Sequence, residues 1–167
     1  MTRQTRWRPM AAGDLAAVEA IAAQVHPGFF EAPEVFAERQ ALYPLGTHLL
    51  EINGAPSGYM LSHPWRFRRL PALNSLLETI PAEADTYYIH DLALLPTARG
   101  TGAAGNIVAQ LTELACEKGF ATMSLVAVNG SLGFWRKQGF MPIDAPELAE
   151  KLASYEDAAR FMVKSLT

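Results

Sequence analysis

Cysteine is almost absent from this chain of 167 residues, where Cys116 stands alone. One thiol excludes an internal disulfide and any metal site built from several cysteines. Its place in a helical pattern makes packing, rather than nucleophilic chemistry, its expected role. Long apolar runs are missing too. The basic start MTRQTRWRPM is followed by apolar residues that Asp14 and Glu19 interrupt, so neither a signal-peptide core nor a membrane span is expected. A cytoplasmic protein with no membrane partner is the expectation. Nor does charge of one sign dominate: 14 basic and 17 acidic residues leave a net charge of −3, which gives nucleic acid no general attraction. The one basic run, Arg66–Phe67–Arg68–Arg69, reads as a solvated turn or as a place that greets an anionic ligand. No repeat or low-complexity tract is visible.

What is present suits one globular domain over residues 1–167, long enough to bury a core without covalent staples. Leu15, Val18, Ile21, Ala22 and Val25 recur at helical spacing, predicting a helix from Asp14 to Val25. Pro33 opens a second through Tyr43, since proline is tolerated in a first turn. THLLEI and SGYMLSHPW flank Asn53–Gly54 and predict an antiparallel hairpin. Residues 66–84 read as an insertion with a short helix around Leu73–Thr79. TYYIHDLALL is the next strand, and a long helix with an apolar face at Ala104, Ile107, Val108, Leu111, Leu114 and Ala115 ends at Gly119. ATMSLVAV reads as a buried strand. SLGFWRKQ follows as a short helix, then a strand at Phe140–Ile143, a helix near Pro146–Ala153 and a strand at Arg160–Lys164. The order β-α-α-β-β-β-α-β-α-β-(α)-β gives an α/β fold with a mixed sheet of about seven strands.

Residues 99–105 read RGTGAAG. Gly100, Gly102 and Gly105 spell G-x-G-x-x-G, the fingerprint of a dinucleotide-binding loop. That site wants an early strand before the loop and an acidic residue after the next strand to hold a ribose. Here the loop comes late, and ATMSLVAV leads to Asn129. The same backbone can instead cradle another phosphate ligand. Glycines let main-chain amides approach the anion, and a helix starting there directs its free N–H groups at it. A plain strand-to-helix turn is the third reading, but it has no need of four small residues in a row at 102–105.

LALLPTARGTGAAG resembles motif A of the GNAT superfamily, the acyl-coenzyme A-dependent N-acyltransferases, whose pattern is [Q/R]-x-x-G-x-[G/A]. Arg99, Gly102 and Ala104 occupy its defined places. FWRKQGF (134–140) is similar to that family's Phe-Tyr-x-x-x-Gly-Phe ending, with Trp135 in the tyrosine's place. The resemblance covers nearly the whole chain, closely from 86 to 140. It implies that the fourth and fifth strands splay apart around the pantetheine arm of acetyl-CoA, the expected cosubstrate. Leu92, Ala93 and Leu94 would offer main-chain groups to that arm, one amide polarising the thioester carbonyl. The pyrophosphate would rest on Arg99, Gly100, Thr101, Gly102, Ala103, Ala104 and Gly105. Asn129 and Phe134 are further cofactor contacts that the resemblance suggests, although the family's asparagine usually stands one place earlier, where Val128 is.

An attacking amine must lose a proton, and His90 is the best acceptor, with an ordinary value of ~6.5. A hydrogen-bonded structural histidine is the competing reading. In the serotonin N-acetyltransferase type, to which the chain is loosely similar, histidines stand where Tyr88 and His90 are here, so Tyr88 joins His90 as a candidate catalytic residue. Strand alternation predicts Tyr88, His90, Leu92 and Leu94 on one face, with Asp91 and Ala93 on the other, which argues against a relay or metal site made of His90 and Asp91 alone. No metal is expected. Trp135 cannot replace the family tyrosine as an acid, and Tyr87, Tyr88 and Tyr155 are open as substitutes. The acceptor pocket is expected from the first two helices and residues 66–84, with His26, Glu31 and His63 as polar groups. The expected activity is acetyl transfer from acetyl-CoA to a primary amine of a small molecule, with a homodimer possible. A protein amino group as acceptor and a catalytically weak acyl-CoA sensor are the alternatives.

Overall fold

The computed structural model of the protein describes residues 4–167; residues 1–3 of the expected domain lie outside the described residues. Strand β1 (Thr5–Pro9) carries Arg8, which pairs with Asp14 at 2.7 Å. The same carboxylate accepts the Ala11 N–H at 2.8 Å. These two bonds set the entry into α1 (Leu15–Val25), whose Val18 and Ile21 are buried. Helix α2 (Pro33–Leu42) starts on its proline and buries Val35, Phe36 and Arg39. The hairpin follows as β2 (Thr47–Ile52) and β3 (Ala55–Trp65). After residues 66–85 come β4 (Thr86–Leu94), α3 (Ala103–Glu117) and β5 (Thr122–Ala127). The remaining elements are α4 (Leu132–Lys137), β6 (Met141–Pro142), α5 (Ala149–Ala153) and β7 (Arg160–Ser165).

These strands form one mixed seven-stranded sheet in the order β1-β2-β3-β4-β5-β7-β6. Only β4 and β5 run parallel. The apolar stripe of α3, Ile107, Val108 and Leu111, packs on Tyr87, Ile89 and Leu125. On the opposite face Val18, Ile21 and Phe36 from α1 and α2 pack on Leu49, Tyr59, Leu61 and Ala93. Each helix thus buries its stripe against sheet positions that alternate along the strands.

Three expectations fail for physical reasons. No helix forms over 73–79. The backbone there is held by carboxylates of the α1–α2 region: Glu38 accepts the N–H groups of Leu77 and Glu78 at 2.6 and 2.9 Å, and Glu31 accepts that of Asn74 at 3.1 Å. The strand expected at 140–143 shrinks to two residues, because Phe140 turns into the core. Cys116 is exposed rather than packed, since it sits on the outer face of α3. Within the basic run, Arg66 pairs with Glu83 and Arg68 with Glu147, so both serve to brace this segment.

Two irregularities of β4 matter for function. Its parallel ladder with β5 covers three pairs, Tyr87↔Met123 to Ile89↔Leu125, and then the strands part. On the other edge the register with β3 passes from Leu61↔Asp91 to Ser62↔Ile89. His90 therefore has no cross-strand partner, a β-bulge. It sets His90 and Asp91 on the same face as Tyr88 and Ala93, whereas Leu92 packs with Tyr87 and Ile89 on the α3 face. The alternation expected for Asp91, Leu92 and Leu94 is reversed by this one extra residue.

The bulge is buttressed from below. Ser62 Oγ donates to Gly46 O at 2.8 Å, and a Cβ on Gly46 would stand 2.1 Å from Ser62 O. Gly46→Ala is expected to lower stability by about 3 kcal/mol, the upper end of overpacking costs, as read by urea unfolding. A loss below about 1 kcal/mol would show that this contact is soft.

Candidate active site

The parting of β4 and β5 opens a cavity of about 560 Å³. At one end lies the loop that opens α3. Gly102 caps that helix with φ +82°, a left-handed conformation that side chains resist. Thr101 Oγ1 donates to Ala98 O at 2.6 Å and accepts the Ala103 N–H at 3.3 Å. The Trp7 indole N–H donates to Ala103 O at 2.8 Å. The loop is thereby pinned from behind. In front, the space that a Cβ of Gly100 or Gly102 would take is open, and the first-turn amides of α3 have no carbonyl of a preceding turn to bond. Arg99, Gly100, Gly102, Ala103, Ala104 and Gly105 all line the cavity, as do Phe134 and Asn129. Thr101 does not; it braces the loop.

Along the cavity wall, the Leu95 N–H donates to Ser57 O on the β3 side at 2.9 Å. Alternation then turns the main-chain groups of Ala93 toward β3 and those of Leu92 and Leu94 into the gap. Leu92 and Leu94 line the cavity, and Ala93 does not. Its expected main-chain role is corrected, because its N–H and C=O face the existing ladder and its side chain is buried against α1.

Beyond the splay lies a second cavity of about 40 Å³, walled in part by Phe29, Glu31, Leu73 and Tyr155. Five residues line both cavities: His26, His90, Asp91, Val126 and Val128. Three of these five, His26, His90 and Asp91, are titratable.

Together with Glu31, those three form two imidazole–carboxylate pairs. His90 Nε2 lies 2.8 Å from Glu31 Oε1, with both side chains almost fully buried. A carboxylate can only accept, so Nε2 carries a proton, and in the neutral ring Nδ1 holds the lone pair. That Nδ1 is buried with no hydrogen-bond partner among the described residues. Burial pushes the Glu31 carboxyl up, but His90 outweighs it and holds the group below the usual range. The second pair is His26 and Asp91, with Nε2 and Oδ1 2.9 Å apart. The Tyr59 hydroxyl donates to the other oxygen of Asp91 at 2.5 Å. His26 Nδ1 lies 3.1 Å from the Asn129 carboxamide. Burial works against a charged His26, yet the Asp91 carboxylate overrides it and raises the imidazole above its ordinary value. Burial likewise raises Asp91, and its His26 and Tyr59 partners outweigh that, so the carboxyl stays low.

Other expected groups fall outside. Tyr88 is 1% exposed, packs with Phe161 and Leu148, and lines neither cavity; burial holds its hydroxyl well above the usual range. Two residues before His90, it is sealed away from both cavities, which corrects its candidate catalytic role. His63 is sealed in as well, burial lowering it to about 3. Trp135 lines the larger cavity and stacks edge-on against Phe134 and Phe140. His26 and Glu31 were legible only as polar groups of the acceptor side, and nothing in the sequence signals their carboxylate and imidazole partners. Among the described residues no group of three or more His, Cys, Asp or Glu could hold a metal ion, and no helix is long and apolar enough to cross a membrane.

A phosphate cradle at one end of a split parallel pair, joined to paired imidazoles at the other, is the layout of an acyl-CoA-dependent acyltransferase. The chain belongs to the acetyltransferase (GNAT) family, whose model matches residues 15–140. The match is to the family as a whole. No curated protein sequence matches the chain. Among solved structures it is similar to GphF, a GNAT-like decarboxylase in complex with isobutyryl-CoA, at a TM-score of 0.81 and 16% identity over 97% of this chain and 100% of that one. It is also similar to the ribosomal-protein-S18-alanine N-acetyltransferase from Escherichia coli, at a TM-score of 0.67 and 15% identity over 98% and 95% of the two chains. N-acetylglutamate synthase from Neisseria gonorrhoeae, complexed with coenzyme A and N-acetyl-glutamate, gives a TM-score of 0.69 at 18% identity over 98% of this chain and 35% of that one. These identities speak for the fold. Membership of the family makes the protein a GNAT-type N-acetyltransferase with acetyl-CoA as cosubstrate. The open glycine loop and the long cavity fit coenzyme A.

Two expectations follow. Gly102→Val forces a branched side chain into the left-handed region, costs about 1–2 kcal/mol, and is expected to weaken coenzyme A binding at least about tenfold by calorimetry. Unchanged affinity would remove the loop from the phosphate site. The second concerns pH. Because His26 is raised in the folded state, its pairing energy is complete below about pH 6.5 and fades as pH climbs past the folded value. The Asp91 contribution is lost only on acidification, through its lowered folded value. Asp91→Asn is therefore expected to cost about 3 kcal/mol near pH 6 and less near pH 9; urea unfolding at both pH values with equal losses would refute the pairing.

Proposed function

We propose that the enzyme acetylates the primary amine of a small molecule by direct attack in a ternary complex. The observation that carries this reading is the second cavity, which shares His26, His90, Asp91, Val126 and Val128 with the larger one. About 40 Å³ between Phe29, Leu73 and Tyr155 suits an aminomethyl end on a short apolar arm rather than a length of peptide. The thioester lies along Leu92 and Leu94 with its phosphates on residues 99–105. Its carbonyl carbon reaches the junction, where a main-chain N–H of the splayed edge polarises the carbonyl.

His90 takes the amine proton. Glu31 fixes the Nε2 tautomer and leaves Nδ1 as the open base at the junction. The pair also gives a neutral amine a dry place to wait, since both side chains are almost wholly withdrawn from water.

Free-thiol release from acetyl-CoA across a panel of primary amines and short peptides is the test. Small apolar or aromatic alkylamines are expected to lead the panel, and a peptide preferred about tenfold in kcat/KM would overturn the small-molecule reading. His90→Gln is expected to lower kcat about 10²- to 10⁴-fold and to remove the acidic limb of the pH–rate profile. A variant that keeps that limb would exclude His90 as the base.

A further inference from the structure

The departing sulfur also needs a proton. A free thiol ionises near pH ~8.5, so a thiolate expelled into a dry site gains from a donor held ready beside it. The larger cavity offers few. Trp135 on its wall has an indole N–H with no acidity in water's range. No tyrosine lines it. Tyr87 is bonded to Ser62 Oγ at 2.8 Å, Tyr88 is sealed in the core, and Tyr155 faces the smaller cavity with its hydroxyl given to Pro71 O.

We infer that His26 is the general acid that protonates the coenzyme A thiolate, positioned by Asp91 and Asn129. Three observations converge on it. His26 caps the C-terminus of α1 and lines both cavities, so it stands where thioester and amine meet. Its Nε2 lies 2.9 Å from Asp91 Oδ1 as an ion pair without the alignment of a hydrogen bond, which leaves that N–H uncommitted, and its Nδ1 lies 3.1 Å from Asn129 Nδ2. The Asn129 carboxamide can present oxygen to a protonated Nδ1 or N–H to a bare one by turning over, so the residue accommodates both forms of the ring. Asn129 is itself held: its backbone sits at φ +56°, and its N–H donates to Glu156 at 2.8 Å. Each of the two histidines thus keeps one buried nitrogen without a hydrogen-bond partner among the described residues, Nε2 in His26 and Nδ1 in His90.

The charged and titratable groups around His26 agree in sign. Asp91 from β4 and Glu31 from the α1–α2 loop favour its charged form. Glu156 stands behind Asn129, and Tyr59 is protonated on the far side of Asp91, held well above its usual range by burial and by that carboxylate. His90 is the one nearby group that becomes positive, and it does so only as the amine gives up its proton.

The step balances. The amine nitrogen forms a C–N bond to the thioester carbonyl and passes one proton to His90 Nδ1. The C–S bond breaks with its electron pair on sulfur, and the His26 imidazolium gives that sulfur its proton. Products are the amide and the free thiol, with His26 neutral and His90 charged. Solvent exchange then resets both rings. Arrival of positive charge on His90 favours departure of the proton from His26, so the two transfers assist each other.

This inference rests on the proposed amine reading, but its test needs no amine. In the binary complex with coenzyme A, an imidazolium beside the sulfur stabilises the thiolate, whose ultraviolet band can be titrated. The midpoint is expected about one pH unit or more below that of free coenzyme A. His26→Gln returns it to the free value, while His90→Gln leaves it low. A midpoint equal to that of free coenzyme A, or one indifferent to His26→Gln, overturns the assignment. If His26→Gln unfolds the protein, Asn129→Ala serves instead, with the expected result a midpoint raised part of the way; no change there sinks the proposal. An amine panel without turnover would refute the acceptor reading and leave this titration decisive on its own.

Discussion

Strands β4 and β5 share a parallel ladder over only three residue pairs before they part, and the rest of the site depends on where that ladder stops. A parallel pair inside a sheet normally satisfies every main-chain group of both strands. Here the groups of Leu92 and Leu94 are left facing a gap, so the edge is complete only when an extended ligand lies along it. On the proposed reading, affinity for the long arm of coenzyme A comes from backbone that the fold withholds from its own sheet. Side chains at these positions serve mainly the core, which leaves specificity to the two ends of the gap.

The bulge at His90 does for side chains what the splay does for the backbone. One unpaired residue brings two successive strand residues to a single face, and each finds a partner contributed by the first helical layer, Glu31 for His90 and His26 for Asp91. The pairs are crossed in kind: the strand supplies an imidazole to one and a carboxylate to the other. Both pairs are drawn from the same two short segments, so the geometry of one constrains the other. Burial alone would discharge these groups, and their mutual pairing is what keeps carboxylates ionised inside the sheet.

Much of the frame could be read from the chain. The helical spacing of α1 and α3, the Asn53–Gly54 hairpin and the RGTGAAG loop each carry their geometry in residues close together in sequence, because a period or a left-handed position is a local property. The acid–base groups were legible only in part. The chemistry of His90 singles it out as a candidate base, but the face of Asp91 was missed, since a register slip leaves no mark on a period of two. The helix expected over 73–79 failed for a related reason. Glu31 and Glu38, far away in sequence, take up its N–H groups, and no local propensity reports such a partner.

Glu31 divides its two oxygens between distant clients: Oε1 receives His90, and Oε2 receives the main-chain N–H of Asn74. A surface segment without regular structure is thereby a tenant of the same carboxylate that sets a tautomer in the interior. Should residues 72–76 lift away, Oε2 would lose its donor while still shielded from solvent, a loss of about 1–3 kcal/mol, and the carboxylate would be free to swing off the imidazole. The outer segment and the His90 ring are therefore coupled through one carboxylate, so that the setting of the imidazole depends on how residues 72–76 lie.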